Sequence, residues 1–366
     1  MTITRRGFLQ LGAGAAAFTI VPARVLGRAA PSNTIVMGMI GLGGMGAANL
    51  DAFLGMDDVV VKAVCDVNAL KMGAAKASVD ARNRNRDCET LGDFRELCAR
   101  PDIDAVMIAT PDRWHAPIGL FAASQGKDLY GETPFTHTYE EGRPLADAVT
   151  RHQRVWQTGN GQRADPRFRR AVTAVRGGAL GRVARVEIGL PGGGRGPAFA
   201  RGGHCVCDYH WRWVSAWGGG ALADGIGLYG DTALWGAGRD DEPVSVEGIG
   251  EYPRNGRYDT ATAFRFRCVY RDGMELDVAD GGRLEKGIGV RWIGRGGEWV
   301  WVAGGALEAS SPGLLAAVGA WPLEPCAGLQ RDFINCVKTR RATVAPAGPA
   351  RLAAALGQLG DRAMRG

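Results

Sequence analysis

The stretch from Ile35 to Asp66 restricts the possible folds more than any other part of the chain. Six apolar residues, Ile35 to Ile40, run into Gly41-Leu42-Gly43-Gly44-Met45-Gly46; a helical stretch follows to about Leu54, and a β-branched run, Val59 to Cys65, stops at Asp66. A strand that feeds a GxGxxG turn, opens a helix and returns as a strand ending in an acid is the fingerprint of a parallel βαβ unit that binds a dinucleotide. Each position has a physical task. Gly41 permits the tight turn, Gly43 lets backbone approach a pyrophosphate, Gly46 permits close helix packing, and the helix start supplies partial positive charge. Asp66 can accept hydrogen bonds from the adenine ribose, and it repels a 2′-phosphate, which favours NAD over NADP. The alternative is a glycine turn without nucleotide. With 56 glycines in 366 residues the string alone would carry little weight; the strand, helix and acid around it supply the rest.

Further βα units follow. Asp104 to Ala109 reads as a buried strand ending at Thr110-Pro111, Asp128 to Gly131 as another ending at Glu132-Thr133-Pro134, and Val155 to Thr158 as the last of the sheet. Ligands of an open parallel sheet gather at the carboxyl ends of its strands. The expected cofactor crevice therefore comprises Gly41, Leu42, Gly43, Met45, Gly46, Asp66, Thr110, Pro111, Trp114, His115 and Glu132.

Ahead of this domain, Arg5-Arg6-Gly7-Phe8-Leu9 and an apolar small-residue run over residues 11–21 read as a twin-arginine export signal within residues 1–30. That run is shorter than the roughly 20 residues of a membrane span. The expectation is a periplasmic or other extracytoplasmic protein, carried folded by the Tat machinery, with no stable span in its mature form. The charge balance is +6, but only six basic residues are lysine and the arginines are scattered, so nucleic acid is not an expected partner. The eight cysteines form no CxxC pair, and no Cys/His array has zinc spacing. Cys65 reads as a buried core thiol.

The strings GLGGMG, ATPDRWHAPIG, GKDLYGETPFTHTYEEGR, GNGQRADPRFRRA, WRWVSAWGGGALAD and VEGIGEYPRNGRYDTAT together resemble the glucose-fructose oxidoreductase and inositol dehydrogenase (Gfo/Idh/MocA) family, in its exported bacterial branch. The resemblance spans nearly the whole mature chain. It implies an α/β Rossmann domain over 33–155, then an α+β domain over 156–366 whose large open, mostly antiparallel sheet backs the substrate cleft. It further implies a sugar, glycoside or polyol substrate and a homo-oligomer.

The departures from that pattern bear on chemistry. Thr133 stands where the family has the lysine of its Glu-Lys-Pro motif, and no lysine occurs between Lys127 and Lys286. In the later motif Asp224 and Asp231 fit, but Leu228, followed by Tyr229, takes the position of the catalytic histidine. A short segment between Leu190 and Asp208 replaces a longer tryptophan-rich loop, and the chain stops at Gly366 without the branch's usual extension, which implies a reduced substrate rim. Removing hydride from an alcohol requires a base for the hydroxyl proton; the candidates for catalysis are Thr133, Asp224, Tyr229 and His115. Tyr229 is either an acid/base with a lowered pKa or a buried tyrosine, and His115 either a cofactor wall or a packed histidine. His137 reads as structural. Arg163 and Arg212 either bind substrate or serve at the surface or paired with Asp224. Trp211, Trp213 and Trp217 suit sugar stacking or burial, and His204, His210, Cys205 and Cys207 match no standard metal site. Three functions stand open: an NAD(P)-dependent oxidoreductase holding its cofactor tightly, a degenerate sugar- or nucleotide-binding protein, and a redox-neutral lyase or hydrolase.

Overall fold

The computed structural model describes residues 33–192, 209–316 and 323–366. The proposed signal peptide, His204, Cys205, Cys207 and most of the shortened rim segment lie outside the described residues. The first domain alternates strand and helix: β1 (Ile35–Ile40), α1 (Gly44–Leu54), β2 (Val59–Cys65), α2 (Ala69–Asn83), β3 (Glu89–Leu91), α3 (Phe94–Ala99), β4 (Ala105–Ile108), α4 (His115–Ser124), β5 (Asp128–Gly131), α5 (Tyr139–Arg151) and β6 (Trp156–Thr158). All its strands pair in parallel in the order β3-β2-β1-β4-β5-β6, so the chain reverses direction across the sheet between β1 and β4. That reversal opens a crevice at the strands' carboxyl ends. Met37, Met39, Val61, Val64, Val106 and Met107 have no solvent exposure, as expected of parallel strands covered on both faces. Cys65 is buried with them, and burial pushes its thiol up to about 12.

After α6 (Pro166–Arg176) the second domain forms β7 (Val183–Leu190), α7 (Gly220–Ala237), β8 (Ser245–Glu251), β9 (Ala263–Val269), β10 (Glu275–Asp280), β11 (Gly289–Gly294), β12 (Trp299–Val302) and β13 (Leu307–Ala309). Its seven strands lie in the order β13-β12-β11-β7-β10-β9-β8, antiparallel except for the β7–β10 pair. This is the expected mixed, mostly antiparallel open sheet. Two helices close the chain, α8 (Leu329–Thr339) and α9 (Ala347–Arg365).

The domain boundary differs from the sequence expectation. Strand β6 belongs to the first sheet, and α8 returns to the first domain, where Leu329, Phe333, Ile334 and Val337 pack with Phe53 and Tyr130. Helix α9 lies between the two cores, with Ala350 and Ala354 in the first and Leu352 and Leu356 in the second.

Helix α7 carries the site and is unusually rich in glycine for a helix interior, where each glycine costs about 1 kcal/mol relative to alanine. The reason is close approach. A Cβ added at Gly227 would come within 2.9 Å of the Thr133 Cβ, and one at Gly236 within 2.5 Å of the Trp292 indole. Trp292 is fully buried and donates its Nε1–H to the Ala233 carbonyl at 2.9 Å. Gly236→Ala should therefore lower stability by about 1–3 kcal/mol despite alanine's better helix propensity; a urea midpoint equal to or above that of the parent would contradict this packing.

Candidate active site

The glycine turn adopts the geometry its sequence requires. Gly41 has φ +85°, and a Cβ there would lie 2.5 Å from the Ala109 carbonyl oxygen; a Cβ at Gly46 would lie 1.9 Å from the Gly41 carbonyl oxygen. Gly43 and Gly44 have no atom within 4 Å on the side where a Cβ would project. No side chain caps α1 and no acid occupies its first turn, so its leading N–H groups remain available to an anion. Asp66 accepts the Leu42 N–H at 2.7 Å and the Asn68 N–H at 2.8 Å, tying the glycine turn to the end of β2. Around this crevice stand exposed apolar side chains: Met45 at 54%, Val67 at 87%, Leu70 at 85% and Trp114 at 36%. An open phosphate cradle, an acid at the ribose position and uncovered apolar residues beside it fit a dinucleotide.

Other expected crevice residues take different roles. Glu132 turns its carboxyl inward, where it accepts from Asn49 Nδ2 at 2.7 Å and packs over Gly159; burial raises it to about 7. Asn49 Oδ1 in turn accepts from Gln330 of α8 at 2.7 Å. Glu132 thus joins an interior polar chain that runs to α8. His115 is buried, with Nδ1 2.7 Å from the Pro134 carbonyl and Nε2 2.9 Å from the Thr110 carbonyl. Both ring nitrogens are occupied by backbone, so His115 braces the ends of β4 and β5 and is not a free proton carrier. Thr110 presents a buried hydroxyl without a hydrogen-bond partner. Thr133 precedes Pro134 at the crevice, against Gly227 of α7.

The strap over 209–219 joins the domains above this point. The Arg113 N–H donates to the Trp217 carbonyl at 3.2 Å, and Gly219 N–H to Asp112 Oδ2 at 3.2 Å. Arg212 donates from Nε to Asp224 Oδ2 at 2.9 Å and lies 4.4 Å over the Trp211 ring; Arg113 lies 4.3 Å over the Trp217 ring. Guanidinium groups thus cover one face of each of these two indoles, which leaves less for sugar stacking. Trp213 packs against Tyr258, which His210 also contacts by ring stacking and a hydrogen bond.

Two of the candidates are turned towards the interior. Tyr229 lies on the side of α7 turned to the second core, 6.3 Å from the Phe168 ring, and burial raises its hydroxyl pKa above the ordinary value, the opposite of what an acid/base at neutral pH needs. Arg163 is buried and clasps Asp231, not the Asp224 the sequence offered, through Nε and Nη2, both at 2.7 Å. Asp112, within the run from Thr110 to His115 expected at the crevice but given no role by the sequence, is buried directly beneath the strap. Its place, two residues beyond the expected end of β4 at Thr110, was the available signal.

Asp66→Ala removes the acid that would meet the adenine ribose and also loosens Leu42. We expect the preference for NAD over NADP to narrow about tenfold or more, the worth of one charge-assisted hydrogen bond. Competition binding of the two nucleotides measures it, and an unchanged preference would contradict the assigned role.

Fold and site together define a two-domain dinucleotide-binding protein with a covered interdomain crevice. Residues 35–160 match the model of an oxidoreductase family with an NAD-binding Rossmann fold, Gfo/Idh/MocA. A glycosyl hydrolase family 109 protein of Shewanella sp. (strain W3-18-1) is 34% identical over 134 residues, which span 36% of this chain and 29% of that relative's length. Among solved structures, the WlbA dehydrogenase from Bordetella pertussis, in complex with NADH and UDP-GlcNAcA, superposes with a TM-score of 0.71 at 18% identity, covering 91% of this chain and 97% of that one. Aldose-aldose oxidoreductase from Caulobacter crescentus, complexed with glycerol, gives a TM-score of 0.67 at 19% identity over 91% of this chain and 98% of that one. These likenesses extend the shared fold through the second domain.

Proposed function

We propose that the protein is an exported NAD-dependent oxidoreductase acting on a sugar, glycoside or polyol. The observation that carries this reading is the open glycine cradle with Asp66, facing across the crevice to α7 and its Asp224. Bound NAD would supply a hydride acceptor. Gly43, Gly44 and the start of α1 would hold its pyrophosphate and Asp66 its ribose, while His115 keeps the ends of β4 and β5 in place. The twin arginines support export through the Tat route, which carries folded proteins. A compartment without a free nicotinamide pool favours a tightly held cofactor recycled between oxidation and reduction.

A second reading has its own support. The family 109 relatives carry the name of glycosyl hydrolases, and a redox-neutral cycle, with transient oxidation labilising a C–O bond, uses the same crevice. Incubation with a panel of glycosides and polyols separates the two. Accumulating NADH supports the oxidoreductase; released sugar without net NADH supports the hydrolase; neither, with nucleotide bound, leaves a binding protein. Arg5→Lys with Arg6→Lys should keep the protein in the cytoplasm, and undiminished export would contradict the Tat assignment.

A further inference from the structure

Cation–π contacts single out Arg113. Among the described residues, Arg95, Arg163, Arg212, Arg239, Arg362 and Arg365 each lie over an aromatic ring, and each also bonds a carboxylate. Arg113 lies over two rings, its Cζ 4.3 Å from the centre of Trp217 and 5.5 Å from that of Trp114, yet among the described residues no carboxylate or carbonyl bonds its guanidinium. The side chain is half-buried. An indole face attracts a cation but takes none of its N–H groups in the guanidinium plane. Those donors are left for water or a ligand.

The place of this cation is fixed from both domains. Arg113 is the middle residue of the turn Asp112–Trp114 after β4, and the end of that strand, at Ala109 and Thr110, abuts Gly41 of the glycine turn. Its own backbone N–H donates to the Trp217 carbonyl at 3.2 Å, just before α7 begins at Gly220. Trp114 is braced by Phe94 of α3, with 6.3 Å between ring centres, and keeps 36% of its surface exposed. The strap's own Arg212 is already neutralised by Asp224. The charge of Arg113 therefore stands uncompensated where the nucleotide domain meets the strap.

We propose that Arg113 is a specificity-determining residue that grips an anionic oxyacid group, a carboxylate or a phosphate, carried by the sugar or polyol that enters the crevice. The proposal deepens the oxidoreductase reading and rests on it for the ligand being a sugar. Two in-plane N–H groups of a guanidinium match two oxygens of a carboxylate or phosphate. The flanking indoles and the backbone bond hold that fork in one place, so little rotamer freedom is left to lose on binding. A neutral sugar offers only hydroxyls, which bring no charge to the pair. Arg113 keeps its proton at any working pH, so the selection follows the charge of the ligand and not its own titration.

The test uses the NAD-loaded full chain and follows binding by tryptophan fluorescence and calorimetry, neither of which needs turnover. The probes are D-glucuronate, D-galacturonate and D-glucose 6-phosphate, each against neutral D-glucose or D-galactose. The parent should bind an acidic sugar about 10- to 100-fold more tightly than its neutral counterpart, the worth of a charge-assisted pair; gain with the uronates or with the phosphate identifies the oxyacid. Arg113→Gln should abolish that preference and leave affinity for the neutral sugar and for NAD unchanged. Arg113→Lys, which keeps the charge but not the fork, should retain part of it. In turnover, Arg113→Gln should raise KM for the acidic sugar with kcat little changed. A mere clamp between turn and strap would instead lose acidic and neutral sugars alike. Equal affinities in the parent, a preference that survives in Arg113→Gln, equal losses for both sugars, or a loss confined to NAD would overturn the proposal. Acidic sugars that bind through Arg113 without forming NADH would sustain it and defeat the oxidoreductase reading.

Discussion

Asp231→Ala should destabilise the protein by about 3–5 kcal/mol, the usual cost of stranding a buried charge. Asp231 accepts from Arg163 twice and from Asn160 Nδ2, all at 2.7 Å, and the two ionic side chains are 5–6% accessible. Removing the carboxylate leaves the guanidinium with the Val344 carbonyl at 3.1 Å and the Trp235 ring at 4.4 Å as its remaining contacts. Neither neutralises it. The double variant Arg163→Met, Asp231→Leu removes both charges and should recover most of the loss. Urea unfolding of the three proteins checks both statements; a loss below about 1 kcal/mol in Asp231→Ala, as expected of an exposed pair, would contradict the buried assignment.

A pair of glycine variants separates the fold of the turn from its ligand. Gly43 has φ −68° and open space where a Cβ would project, so Gly43→Ala should leave stability nearly unchanged. Its methyl group would occupy the approach to the pyrophosphate. NAD affinity should fall about 10- to 100-fold, equivalent to roughly 1–3 kcal/mol of steric strain. Gly46→Ala collides with the Gly41 carbonyl at 1.9 Å and should lower stability and affinity together. Thermal unfolding alongside equilibrium binding distinguishes them, and undiminished NAD affinity in Gly43→Ala would place the nucleotide elsewhere.

The first domain was legible because its signals are local. Apolar runs, a glycine turn and terminal acids fix β1, β2 and β5 without knowledge of anything distant. Strand β3, three residues long, offers no periodicity to read. Helix α8 joins the first core across more than 270 residues of chain, through contacts that only the closed fold creates. The site divides the same way. Gly41, Gly43 and Gly46 act through backbone geometry and Asp66 through a carboxylate at a strand end, both encoded by local spacing, whereas Glu132 and His115 turn their polar atoms to Asn49 and to two carbonyls. For Tyr229 the helix period held a usable signal. Five positions beyond Asp224 it lies about 140° around α7, and both residues cannot face one substrate. Arg163 and Asp112 owe their roles to partners 68 and 107 positions away, which no local pattern encodes.

The crevice formed by Gly41 to Gly46 and Asp66 is the expected NAD site. Calorimetric titration of NAD and of NADP into the nucleotide-stripped protein tests it most directly, with mass analysis of any nucleotide that co-purifies before stripping. One NAD per chain should bind, more tightly than NADP, and a co-purified species should have the mass of NAD or NADH. Protein isolated without nucleotide and giving no binding heat with NAD would contradict it.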